Sequence, residues 1–227
     1  MATVTEPVQT GQPAEAGRPR WLLGILAGVT AVALLVTGSA LAVITGIGGT
    51  RFPGETSVDA GFARDMTTHH AQAVQMAQVV RDTGSDPAVR LVAYDIETQQ
   101  LGQMGQMRGW LQTWGLTQQS DVPAMAWMSP ASSHDHGGVV SGGPMPGMAT
   151  TAELDKLRSL SGRALDLYFL QLMIRHHEGG IPMARDAATR ASMPYVRDLA
   201  SRMAQAQQVE VVSMEQMLRE RGGQPLS

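Results

Sequence analysis

Beyond Ser57 the apolar residues recur every three to four positions, as on one face of an amphipathic helix, and no stretch alternates with the period of two that marks a strand. The first such helix can start at Ser57 or Asp59 and stop at Gly84, a residue suited to a left-handed terminator. A second takes Asp86 as N-cap and Pro87 as its first helical position, and runs to Gly115. A Gly/Pro/Ser/Met-rich linker covers 116–150. Thr150-Thr151-Ala152-Glu153 then reads as a capping box opening a long helix. A last helix runs from Ser192–Pro194 to Gly222. Ahead of all this the pattern is different. Residues 1–20 are polar and rich in Pro, Gly and Ala, whereas Trp21 to Gly49 contains no charged residue, long enough to cross the hydrocarbon core as a transmembrane helix.

The two helical regions align without gaps at a constant offset of 107 residues. Asp59 matches Asp166, Phe62 matches Phe169 and Met66 matches Met173. His69-His70 match His176-His177, Met76 matches Met183, and Pro87 matches Pro194. Gln100 matches Gln207, Met107 matches Met214, and Leu111 matches Leu218. A fixed offset across two helices implies a duplicated helical hairpin, with repeats over 57–115 and 162–222. Two such hairpins make an all-α four-helix bundle spanning 57–222. At 100° per residue every repeated position lies on one helix face, His70 beside Met66 and Asp59, and His69 beside Met76. The inner face therefore carries Met and His where a plain bundle carries Leu.

A methionine stripe at helical spacing is most often core filler, and a lone inward histidine is most often a satisfied core residue. A doubled His-His that is flanked by Met and repeated at fixed offset is harder to explain that way, because each buried imidazole needs a partner. Read as metal ligands, Met66, His69, His70, Met76 and Met107 form one set, and Met173, His176, His177, Met183 and Met214 its repeat. Thioether and imidazole together select Cu(I), and also Ag(I), over hard cations, while zinc sites favour other donors. No Glu-x-x-His of a di-iron bundle occurs. Asp59 and Asp166 are weaker candidates. His134 and His136 with Met145 and Met148 in the linker are either a flexible copper-capturing tract or incidental residues of a solvated segment.

Composition sharpens this reading. The chain of 227 residues has fifteen Met and no Cys, which excludes disulfides, thiolate sites and an N-terminal lipid-modified Cys. A net charge of −3 without a basic cluster gives nucleic acid nothing to bind. Arg18 and Arg20 before the apolar segment, against Arg51 after it, place a disordered N-terminal tail (1–20) in the cytoplasm and the bundle outside. The apolar segment is an uncleaved anchor or, with Ala40-Leu41-Ala42 as cleavage site, a signal peptide; residues 50–56 then link it to the bundle.

The stretches "DAGFARDMTTHHAQAVQMA" and "DLYFLQLMIRHHEGGIPMA" resemble the twin motif of the domain-of-unknown-function 305 family over about residues 57–222. The trailing Gln100, Met104 and Met107, with Gln207, Glu210 and Met214 in the second half, are similar too. The resemblance implies a ferritin-like four-helix bundle, export or anchoring, and copper as the bound metal. One departure is "GGIP": Gly179, Gly180 and Pro182 are expected to kink or loosen the second His helix and open a site to solvent or to a donor. Three functions stay open: a membrane-anchored protein that buffers Cu(I) or exchanges it with a donor or acceptor protein, a ferritin-like metal oxidase using Asp59, Asp166 or Glu178, and a metal-free interaction module.

Overall fold

The computed structural model describes residues 20–45, 52–128 and 145–226. Among these residues there are six helices and no strand. They fall into two compact units, the N-terminal helix and the region from Phe52 onward. The first helix, α1 (Arg20–Thr45), contains an apolar stretch from Trp21 to Ala42 long enough to cross a membrane, with none of it buried.

In the second unit, α2 (Val58–Thr83) and α3 (Pro87–Thr113) form one hairpin, and α5 (Gly162–Arg190) and α6 (Pro194–Glu220) the other. The caps follow the sequence closely. The Ser57 hydroxyl accepts from the Ala60 amide, the Asp86 carboxylate accepts from Ala88 and Val89, and Pro87 and Pro194 open their helices. Gly84 ends α2 as expected, but with extended φ/ψ (−60°, 146°) rather than left-handed ones. Its amide still closes on the Val80 carbonyl, so the chain leaves straight into the α3 cap.

The hairpins pack through α2 and α5, which run antiparallel and are tied at both ends by the same device. Asp59, at the start of α2, accepts hydrogen bonds from the Ser192 amide and hydroxyl and from the Met193 amide, in the loop between α5 and α6. Asp166, at the start of α5, accepts from the Ser85 amide and hydroxyl and from the Asp86 amide, between α2 and α3. Each repeat thus satisfies the loop amides of the other. These ties fix the pseudo-twofold arrangement, with the middles of α2 and α5 crossing at the bundle centre.

Two expectations about the second half are corrected. The Thr150–Glu153 capping box is present, but the helix it opens is short, α4 (Thr151–Ser159), and does not continue into the histidine helix. Leu160 and Ser161 are extended and Gly162 has φ +59°, a reversal that only Gly enters without strain. α4 folds back along α5 instead: Glu153 pairs bidentately with Arg175, Lys156 lies 4.3 Å from the Tyr168 ring centroid, and Leu157 is buried. The second correction concerns "GGIP". α5 runs uninterrupted through Pro182, whose missing N–H would have served the carbonyl of exposed Glu178. Gly179 and Gly180 are buried at close approaches. A Cβ on Gly179 would collide with the backbone of Pro146 and Gly147, and one on Gly180 would lie 2.8 Å from Gln207 Oε1. The glycines seat their neighbours on the helix and close it.

The linker is likewise folded at both described ends. After α3, the Met125 amide and the Trp127 indole N–H donate to buried Asp65, laying Trp127 on Gly61 and Phe62. Before α4, residues 145–149 form a strap over the α2/α5 seam, where Gln72 exchanges two hydrogen bonds with the Ala149 backbone. Gly147 (φ +77°) presses against the backbone of Arg175 and His176, where no side chain would fit.

Candidate metal centre

His69, His70, His176 and His177 are all fully buried at the crossing of α2 and α5. The His69 and His176 rings face each other with centroids 3.8 Å apart, and His177 lies 6.2 Å from His176. The sequence places them there because consecutive helical positions are 100° apart, so a His-His pair can point toward both the partner hairpin and its own.

Each ring is held through one nitrogen. His69 Nε2 donates to the Pro146 carbonyl of the strap (3.0 Å), and His176 Nε2 donates to the His69 carbonyl (3.0 Å). His70 Nε2 meets Gln103 Oε1 on α3 (2.7 Å), and His177 Nε2 meets Glu210 on α6 (2.8 Å). The partners of His69, His176 and His177 are carbonyl or carboxylate oxygens, so Nε2 carries the proton in those rings, and the Gln103 carboxamide oxygen turned toward His70 sets the same tautomer there. All four Nδ1 atoms are buried and, among the described residues, have no hydrogen-bond partner. Desolvation holds three of the rings neutral: it lowers His69 to about 4 and His70 to about 3, and His176 well below the usual histidine range. A neutral imidazole protonated at Nε2 presents a bare lone pair at Nδ1. An orphaned buried acceptor costs about 1–3 kcal/mol, so those of His69, His70 and His176 together are expensive for a structural core.

Two further orphans lie on the repeat. Among the described residues, Gln100 on α3 has neither amide atom paired, and its equivalent Gln207 on α6 leaves Oε1 unpaired. A Cβ on Gly180 would meet both Gln207 and, at 3.3 Å, His69 Cε1, so this carboxamide borders the histidine cluster. Sequence reasoning matched these glutamines as repeat partners without assigning them to the site. A buried Gln recurring at the fixed offset was the available signal.

The methionines sort into two groups. Met66, Met107 and Met183 belong to one buried cluster, with Phe62, Leu111 and Met203. Met173, Met214 and Met76 belong to the other, with Phe169, Leu218 and Ile96. The two trios exchange under the repeat offset, and each draws on both hairpins. Met66 and Met76, neighbours of one His pair in sequence, thus end up in different clusters. Met145 and Met148 lie half-buried on the strap that receives the His69 hydrogen bond, Met145 packing on the first cluster. His134 and His136 fall outside the described residues.

Asp59 and Asp166 are not brought to the histidines. Each is eleven residues from the second His of its helix, about 16 Å along the axis, and its carboxylate is occupied with loop amides. Among the described residues no three His, Asp or Glu side chains converge closely enough to hold an ion by themselves.

Known structures share this architecture. A DUF305 protein from Streptomyces coelicolor is 42% identical, with a TM-score of 0.69, covering 77% of this chain and 99% of that one. A DUF305 fragment from Deinococcus radiodurans is 30% identical, with a TM-score of 0.57, covering 72% and 96%. CopM, solved in Cu(I)-bound, Cu(II)-bound, Ag-bound and apo forms, shares the fold; its Cu(I) form is 24% identical with a TM-score of 0.53, covering 71% and 96%. No curated protein matches the chain. The model of the domain of unknown function DUF305 matches residues 59–218, most of the bundle with both histidine pairs, and the chain belongs to that family.

Proposed function

We propose that this protein binds copper in the core of its bundle, favouring Cu(I) and accepting Ag(I), and serves to buffer the ion or pass it to a partner protein outside the cytoplasm. The observation that carries this reading is the set of four buried Nδ1 atoms without partners among the described residues, each ring fixed through Nε2 to an oxygen. Metal-ligating histidines are held in this way, with the second nitrogen bonded to a carbonyl or carboxylate that sets tautomer and orientation. His69, His70, His176 and His177 supply imidazole. Met66, Met107 and Met183, and Met76, Met173 and Met214, supply thioether from either side. The softness of that donor set selects Cu(I). The copper- and silver-bound forms of CopM, which shares the fold, support the same choice.

Met145 and Met148, on the strap whose Pro146 carbonyl holds His69, are the natural route by which an ion reaches that ring. α1 would anchor the chain, with the positive residues Arg18 and Arg20 inside. Buffering or transfer is preferred over metal oxidation because Asp59 and Asp166 are engaged elsewhere and Glu178 is exposed. The test is a competition titration of the full, untagged chain in detergent against a Cu(I) chelator, with oxygen consumption followed in parallel. Withdrawal of Cu(I) from the chelator without oxygen uptake is expected. Failure to withdraw it removes the copper reading, and turnover of oxygen makes the protein an oxidase.

A further inference from the structure

The pseudo-twofold symmetry of the site is broken at one pair of contacts. His70 and His177 occupy equivalent places on α2 and α5, and each directs Nε2 to the equivalent residue of the following helix. On α3 that residue is Gln103, a neutral carboxamide at 2.7 Å; on α6 it is Glu210, a carboxylate at 2.8 Å. The geometry is otherwise the same: both rings are fully buried, both Nδ1 atoms are unpartnered, and both acceptors are partly exposed. Only the charge behind the ring differs.

That difference acts on the metal through the imidazole. A carboxylate accepting from Nε2–H pushes electron density toward Nδ1 and makes it the stronger donor, whereas a carboxamide polarises the ring weakly. It also adds one negative charge beside the site, which stabilises a doubly charged ion more than a singly charged one. We infer that Glu210 is a specificity-determining residue that makes His177 the strongest nitrogen donor of the four and lets the site hold Cu(II) as well as Cu(I), with the Gln103-backed His70 the weaker, softer side. This rests on the copper-binding reading and adds to it a division of labour between the two repeats.

Gln103 supplies the control that separates polarisation from positioning, because it shows that a glutamine in this place still orients the ring. Glu210→Gln keeps the hydrogen bond and the volume and removes the charge. Affinities for Cu(II), and for Ag(I) as a redox-inert stand-in for Cu(I), are measured on the full chain in detergent. Wild type, Glu210→Gln, Gln103→Glu and the double exchange are compared, with Cu(II) electron paramagnetic resonance on each. Glu210→Gln is expected to weaken Cu(II) about ten-fold or more, the size usual for a lost outer-sphere carboxylate, and Ag(I) much less. Gln103→Glu is expected to strengthen Cu(II). In wild type His177→Ala costs more Cu(II) affinity than His70→Ala, and in the double exchange that order reverses. Equal losses of Cu(II) and Ag(I) in Glu210→Gln, or unchanged Cu(II) affinity and spectrum, overturn the role of Glu210 while leaving copper binding intact. If wild type binds neither ion, the copper reading itself falls.

Discussion

At the middle of the bundle His69 and His176 meet ring to ring, each imidazole neutral and each bound only through Nε2. Their neutrality has a consequence for stability. For His69, His70 and His176 the folded value lies below the unfolded one of about 6.5. Between that pH and about 4 the unfolded chain therefore binds more protons, so stability is full above about 6.5 and is lost as pH falls through the folded values. Glu153, held at about 2 chiefly by Arg175, adds acid sensitivity only below about 4.5. Denaturant midpoints of the metal-free protein should thus drop between pH 7 and pH 5; equal midpoints would mean the rings are not buried neutral. The methionines separate packing from ligation. Met66→Leu with Met173→Leu keeps volume and should cost under about 1.5 kcal/mol of metal-free stability for each substitution, yet weaken Cu(I). Unchanged Cu(I) affinity in that pair would leave these two methionines as packing.

Elements show how much of this was readable in the chain. The hairpins, their caps at Ser57, Asp86 and Thr150, and the repeat linking His69-His70 to His176-His177 follow from periodicity and offset alone. The separation of α4 from α5 does not, because it depends on Gly162 entering a positive φ and on Leu157 finding the core. Gly179 and Gly180 read as helix breakers in sequence, whereas their use is set by what returns to pack on them, the strap and Gln207. The assignment of Met66 and Met76 to different clusters, and of Asp59 to a loop of the opposite hairpin, is likewise a long-range outcome that no local pattern carries. Two substitutions test these elements. Gly179→Ala should displace the strap, destabilising by about 1–3 kcal/mol and speeding amide exchange at 146–149; unchanged exchange would show that the strap does not rest there. Asp59→Ala removes three hydrogen bonds to a charged acceptor and should cost at least about 2 kcal/mol while leaving metal affinity near wild type, since the carboxylate is far from the histidines. A large loss of metal affinity at unchanged stability would return Asp59 to the ligand set.

For the whole molecule, the proposed donor set comes from both repeats, so neither hairpin alone should hold the ion as the bundle does. With α1 as an uncleaved anchor, protease added to spheroplasts should digest the bundle, and protection would reverse the proposed orientation. The most direct test of the proposed copper site is nitrogen-15 NMR of the histidine rings during titration with Ag(I), which is diamagnetic. Coordination at the bare lone pairs predicts that the Nδ1 resonances of His69, His70, His176 and His177 move on binding, while each Nε2 keeps its proton and its hydrogen bond. Unmoved Nδ1 resonances at saturating Ag(I), or loss of the Nε2 protons in place of those shifts, would contradict it.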